Sequence, residues 1–265
     1  MDYAKGAFAY VLSDPDRLKF TLCIAATHII VFWSYQFFLY TLWRFNLLAQ
    51  YKLPRNRPDT KDGNPYPLIR QAILDSALSH FILEPVALFF GYPVFKSCGV
   101  EVSTETFPGF AVAVAHLLMC LLWTDTTFYW MHRLLHHPAL YRHIHKQHHE
   151  FKATIGIGSE YAHPIEGIAV NFVTTIGQFF FLGSHLYVIM FYLACRIHQT
   201  IETHSGYDLP FPLSVWTCYD DATKRHDFHH THNVGMYGDW TGFWDWLMGT
   251  DKHYRKHYAA LKKTV

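Results

Sequence analysis

Residues 20–43 read FTLCIAATHIIVFWSYQFFLYTLW, twenty-four positions without an Asp, Glu, Lys or Arg. As an α-helix such a run rises about 36 Å, enough to cross a hydrocarbon core of about 30 Å. A helix buried in a soluble domain rarely stays free of charge over that length, so the chain is read as a membrane protein. Working outward, three further apolar segments follow at about 68–95, 110–131 and 167–200. The second is interrupted by Arg70, Asp75 and Glu84, and the fourth is broken by Leu-Gly-Ser-His at 182–185. That fourth segment is expected to be a helical hairpin turning near Gly183, because site-like histidines, His163 and His204, flank it and must return to one face. The expected fold class is an all-α membrane protein. A bundle of about four transmembrane helices carries a helical cap built from 132–166 and 204–265, and the whole of 1–265 forms one domain.

Composition agrees with this reading. Hydrophobic residues make up 51% and charged residues 16%, against about a quarter in an ordinary soluble domain. A formal net charge of +1 gives no electrostatic basis for binding nucleic acid. Five cysteines (Cys23, Cys98, Cys120, Cys195, Cys218) lack both C-x-x-C pairing and the spacing of a secreted scaffold. Asp2, Asp14 and Asp16 near the start do not fit a cleaved signal peptide, so the first span is expected to serve as the insertion signal. The loop after it is basic (Arg44, Lys52, Arg55, Arg57, Lys61, Arg70), which places it in the cytosol and the N-terminus in the lumen. The chain ends Lys262-Lys263-Thr264-Val265, matching the dilysine retrieval signal of endoplasmic reticulum membrane proteins. The third span then emerges on the cytosolic side.

There it runs into histidine. His132-Arg-Leu-Leu-His136-His137 is followed by His145-Lys-Gln-His148-His149, and His226-Asp-Phe-His229-His230 repeats the last spacing about eighty residues on. On a helix, residues three and four apart share a face, so His145, His148 and His149 project together, as do His226, His229 and His230. His132 and His136 share a face too, with His137 offset by about 100°. Eight or more imidazoles converging on one pocket exceed the roughly four a single zinc ion needs, which argues for two metal ions. No cysteine lies near the boxes and H-E-x-x-H is absent, against thiolate sites and zinc proteases. Nitrogen ligation suits iron, copper or zinc alike; an apolar, membrane-dissolved substrate favours iron with dioxygen. His28, His80, His116 and His185 lie in apolar spans outside any box and are expected to be packed or hydrogen-bonded. His143, His253 and His257 are expected at the surface, and His232 stands at the border. Asp125, seven residues before His132, is expected to orient a ligand imidazole, with Glu160, Glu202 and Asp227 as further candidates.

These boxes, with Glu160-Tyr-Ala-His163-Pro, Thr203-His204-Ser-Gly-Tyr-Asp and Phe243-Trp-Asp-Trp-Leu-Met-Gly-Thr-Asp, resemble the fatty acid hydroxylase and sterol desaturase superfamily of membrane di-iron oxygenases. Within it the resemblance is to the 4-methylsterol oxidases and covers roughly residues 20–255. It implies two non-haem iron ions, O2, and electrons from NAD(P)H through cytochrome b5 and its reductase. Carried over residue by residue, it implies metal ligands at His132, His137, His145, His148, His149, His204, His226, His229 and His230. His136 occupies a place where relatives of the hydroxylase branch can have another residue. That branch also carries a histidine four positions before that of His204, where this chain has Thr200; His163, His198 or a water is left to supply a tenth ligand. The implied reaction takes a sterol 4-methyl group through alcohol and aldehyde to carboxylate, which a decarboxylating sterol dehydrogenase then removes. Siblings sharing the boxes (a sterol desaturase, a sterol side-chain hydroxylase or a long-chain lipid hydroxylase) remain the alternative. A non-catalytic metal or sterol binder would instead place its histidines in loops without helical register.

Overall fold

The computed structural model describes residues 14–54, 64–210 and 221–261. Among these the regular elements are helices, and the only β pairing consists of two isolated bridges, Lys52 with Tyr207 and Glu101 with His185. Four helices are long and apolar enough to cross a membrane: α1 Pro15–Arg44, α2 Tyr66–Ser97, α3 Phe110–Leu135 and α4 Pro164–Leu182. The protein is an all-α, multi-pass membrane protein. Large apolar side chains point outward along these helices, among them Phe37, Phe90, Leu122 and Phe181. Water would not tolerate such faces, whereas lipid does. The expected dilysine pair and much of the basic loop (Arg55, Arg57, Lys61) lie outside the described residues, as does Cys218.

α1 is central. Asp14 caps it by accepting from the Asp16 amide (3.1 Å), and Pro15 fills the first helical position, where a missing amide costs nothing. Phe20 packs on Tyr92 and Phe95 of α2, with ring centroids 5.3 and 5.2 Å away. Further along, Tyr35 stacks on His198 of a fifth helix, α5 Leu186–Thr203. α2 is not a plain α-helix. A π turn at Ser79–Leu83 inserts an extra residue per turn midway along it.

α4 and α5 fold back on one another. Between them Gly183 takes φ +52°, and a Cβ there would stand 2.8 Å from the Cys98 carbonyl oxygen. Only glycine fits both demands. Thr124 of α3 touches Thr174 and Tyr192, which lie nine residues to either side of Gly183. The Gly183 end is tied down by Leu186 N–H donating to the Glu101 carbonyl (2.8 Å) and Lys19 Nζ to the Val102 carbonyl (2.7 Å). At the opposite end, where α4 starts, α3 and α5 deliver the chain to a cap containing α6 Ala222–His232, α7 Phe243–Met248 and α8 Lys252–Leu261. The histidine boxes meet at that end.

A candidate metal centre

Nine imidazoles converge in two groups. His132, His136, His145, His149 and His229 form the first, and His148, His204, His226 and His230 the second; within each, one ring nitrogen per residue lies within 4.8 Å of all the others. The groups adjoin, with the His149 and His230 rings stacked at 4.6 Å. Neighbouring residues therefore serve different groups: His148 and His149 part company, as do His229 and His230.

Local structure explains each position. His132 and His136 are one turn apart at the end of α3, on the same face. His137 precedes Pro138, which excludes the residue before it from the helical region; its ψ is 133° and the helix stops. Its ring swings to the surface and accepts from the Ala139 amide (3.4 Å) instead of joining either group. His137 is thus not brought to the centre, and His136 is. The expected helix through 145–149 is also absent. After a one-turn helix, Pro138–Tyr141, the backbone bonds mix spans of three, four and five residues, and His148–Glu150 is a 3-10 turn. A single irregular turn suffices to aim three imidazoles inward. His226, His229 and His230 do sit on a regular helix, α6.

The outer ring nitrogens fix the tautomers. His132 Nδ1 donates to the Tyr237 carbonyl (3.1 Å), His148 to that of Tyr161 (3.1 Å), and His204 to that of Thr200 (2.7 Å). His229 donates to the Gly235 carbonyl (2.6 Å) and His230 to that of Phe151 (2.9 Å). His145 donates to the Glu166 carboxylate (2.8 Å). With the proton on Nδ1, each Nε2 presents a bare lone pair to the interior. Yet Nε2 atoms face one another at 3.1 Å in the pairs His132–His145, His145–His149 and His149–His229, and at 2.9–3.4 Å through the second group. In the pairs His132–His145 and His148–His204, where both Nδ1 protons are held, lone pair faces lone pair, which is repulsive unless a cation lies between. Edges of about 3.0 to 3.4 Å are what imidazoles bound at about 2.1 Å span. The donor set therefore fits two metal ions, one per group.

Burial keeps these rings neutral. It pushes His136 down to about 2 and His148 and His229 to about 4, and holds His145, His149, His204, His226 and His230 well below 6.5, neighbouring imidazoles adding to the effect in most. A sign follows for the metal-free protein. Above pH 6.5 the rings are neutral folded or unfolded; below it only the unfolded chain takes up protons, until about pH 4 at His148 and His229. Stability should be complete above 6.5 and fall steadily towards 4. Melting of chelator-stripped protein between pH 7.5 and 5 checks this, and a flat profile would contradict buried neutral rings.

The remaining expected site residues lie elsewhere. Asp125 accepts from the amide and hydroxyl of Thr241 (2.8 and 2.7 Å), pinning the cap to α3. His163, again before a proline, caps α4 by accepting from the Ile165 amide (3.2 Å). His198 stacks on Tyr35. Asp227 accepts from the Thr154 hydroxyl (2.7 Å), and the Glu202 carbonyl from the Thr223 hydroxyl (3.3 Å). Glu160 joins His28 and His80 in a separate group. Thr200 contributes a carbonyl to His204 in place of a ring. His116 and His185 bond to Ser184 Oγ (3.0 Å) and the Ser103 carbonyl (2.8 Å), and His232 to the Phe228 carbonyl (3.1 Å). Glu166 was not anticipated. Its signal was present: a lone carboxylate immediately before twenty-nine residues without charge. Glu166→Gln should keep the fold and weaken metal binding about 10- to 100-fold, read by chelator competition; unchanged affinity would deny Glu166 its orienting role.

This pattern of nine inward imidazoles spread over α3, the loop after it, α5 and α6 is matched at the level of sequence, where the fatty acid hydroxylase model aligns with residues 117–250. The chain belongs to the fatty acid hydroxylase family. Among curated relatives, methylsterol monooxygenase 1 of Rattus norvegicus is 30% identical over 98% of the chain and 87% of its own length. Methylsterol monooxygenase 2-2 of Arabidopsis thaliana is 33% identical over 80% of the chain and 78% of its own length. The very-long-chain aldehyde decarbonylase GL1-11 of Oryza sativa subsp. indica is 34% identical over 83% and 81%. No solved structure matches. The family and these relatives make the protein an oxidoreductase, and its histidine groups suit a metal-dependent oxygenase.

Proposed function

We propose that the protein is a sterol C4-methyl monooxygenase, converting a 4-methyl group through alcohol and aldehyde to carboxylate. The observation that carries this is the division of nine inward imidazoles, six of them with Nδ1 held by a hydrogen bond, into adjoining groups of five and four. The likeness to a methylsterol monooxygenase over 98% of the chain adds the substrate class. Two iron ions held there would supply activation of O2, with electrons drawn from NAD(P)H through cytochrome b5 and its reductase.

The chain's own residues prepare the chemistry. His132, His136, His145, His149 and His229 would hold one ion, and His148, His204, His226 and His230 the other. The Nδ1 bonds to carbonyls and to Glu166 keep the lone pairs aimed inward, so little reorganisation accompanies turnover. Phe128 of α3 lies edge-on to His132, with ring centroids 5.2 Å apart, and carries apolar surface from the span up to the first group. A sterol dissolved in lipid can approach along such a surface without entering water. The basic loop after α1 supports placing the centre on the cytosolic side of an endoplasmic reticulum membrane. A decarboxylating sterol dehydrogenase would consume the carboxylate product.

The rice relatives support a second reading, in which a very-long-chain aldehyde is the substrate. Expression in cells lacking their own 4-methyl oxidase separates the two. Loss of accumulated 4,4-dimethylsterols is expected. If they persist while the metal-loaded protein is present, and long-chain aldehydes fall instead, the second reading replaces the first.

A further inference from the structure

A third group of ligand-type side chains lies outside the nine-histidine centre, built from helices the proposed reaction does not use. His28 Nε2 and His80 Nε2 approach the two oxygens of the Glu160 carboxylate at 3.0 and 2.7 Å. The rings of His28 and His80 lie 4.2 Å apart, and one donor atom from each of the three residues falls within 4.8 Å of the others. On the far side of His28, Nδ1 meets the Glu84 carboxylate at 2.7 Å.

The place is unusual for charge. His28 is close to the middle of α1, and His80 and Glu84 close to the middle of α2, both spans that cross the membrane. Ionisable side chains at that depth are costly and persist when something compensates them. Two carboxylates beside two neutral imidazoles carry a charge of minus two. One divalent cation cancels it; without a metal, two protons, on the rings or on the carboxylates, have to do the same.

Three features favour metal ligation here, and the second of them recurs in the nine-histidine centre. The inward Nε2 atoms lie 3.0 and 2.7 Å from the two Glu160 oxygens, a spacing shared by hydrogen bonds and by the edge of a coordination polyhedron. An outer carboxylate holds Nδ1 of His28, as Glu166 holds that of His145 (2.8 Å). The helix is also locally rewound, since His80 lies in the π turn Ser79–Leu83, a distortion found often at functional sites.

We propose that His28, His80 and Glu160 bind a third metal ion, a divalent transition metal of the zinc or ferrous class, separate from the dinuclear centre. Two imidazoles and one carboxylate are a ligand set both ions accept. The site clasps the loop after the second box to two spans. Gly156 of that loop lies against Leu39 and Gln36, where a Cβ would come within 2.4 and 2.8 Å of them, and Glu160 reaches His28, about 16 Å further down α1. The next residue, Tyr161, supplies the carbonyl that orients His148. The third ion thus positions a dinuclear ligand without touching substrate.

Metal stoichiometry of the full-length protein in detergent, after incubation with Zn2+ and gel filtration, tests this. Three ions per chain are expected in the wild type, and two in His80→Ala and in Glu160→Ala. A double variant, His148→Ala with His229→Ala, should empty the dinuclear centre and keep one ion, so failure of either assignment is visible without the other. Two ions in the wild type, or three in both single variants, overturns the proposal. If those variants fail to insert, a cryo-EM map of the wild type decides. A peak bound by His28, His80 and Glu160 supports the site; side-chain density in mutual contact without one removes it.

Discussion

His136→Ala is expected to abolish turnover, whereas His137→Ala should leave it within about twofold, the usual range for an exposed position. The adjacent residues differ because of Pro138. His136 still has helical geometry and lies a turn beyond His132, so its Nε2 meets that of His229 at 3.1 Å. His137 has been forced into extended backbone and is exposed. Removing His136 takes one of five donors from the first group and leaves a hole that the buried lone pairs of its partners cannot fill. Metal content and product formation in purified variants read the difference directly. Equal loss in both variants would mean that His137 turns inward when metal binds, and would reverse the assignment.

The second large effect is expected at His148. It belongs to the four-membered group, which has no imidazole to spare, and it faces His204 Nε2 at 3.4 Å. His148→Ala should insert normally, bind one ion fewer and fall at least about a hundredfold in turnover, more than the loss of an outer-shell partner brings. The spans carry the apolar surface that drives insertion, and none of it is touched. Retention of both ions with full turnover would remove the second box from the chemistry.

The contrast between His136 and His137 also measures how far the sequence could be read. Helical spacing alone put His132 and His136 on one face and His137 off it, and Pro138 was there to explain why. Likeness to relatives favoured His137, because matching residue types carries no information about where a backbone leaves its helix. The long chargeless runs gave the membrane class, since apolar length is a property of sequence alone. By contrast, the partners of the ring nitrogens were hidden. Five of the six Nδ1 bonds go to backbone carbonyls, which every residue possesses and no pattern of side chains reveals. Acidic residues were visible as types but not as neighbours. Asp125 proved to hold Thr241, and Glu160 to belong with His28 and His80, because both relations cross between segments far apart in the chain.

The way the nine imidazoles are drawn from the chain bears on how the protein is made. Within the first group, His132 and His229 lie about a hundred residues apart, and the intervening chain contains the whole of α4 and α5. Neither group is complete until α6 has been synthesised, and the four-membered one also needs α5 to have returned to the histidine end. A chain caught with that hairpin still outside the bilayer has scattered histidines and no ion-binding pocket. Metal uptake at these groups would therefore come last in biogenesis. Once made, metal–nitrogen bonds would close a loop of about a hundred residues that is otherwise free to reopen, turning a completed topology into a locked one. Scarcity of metal would then shorten the lifetime of the chain in the membrane as well as lower its activity.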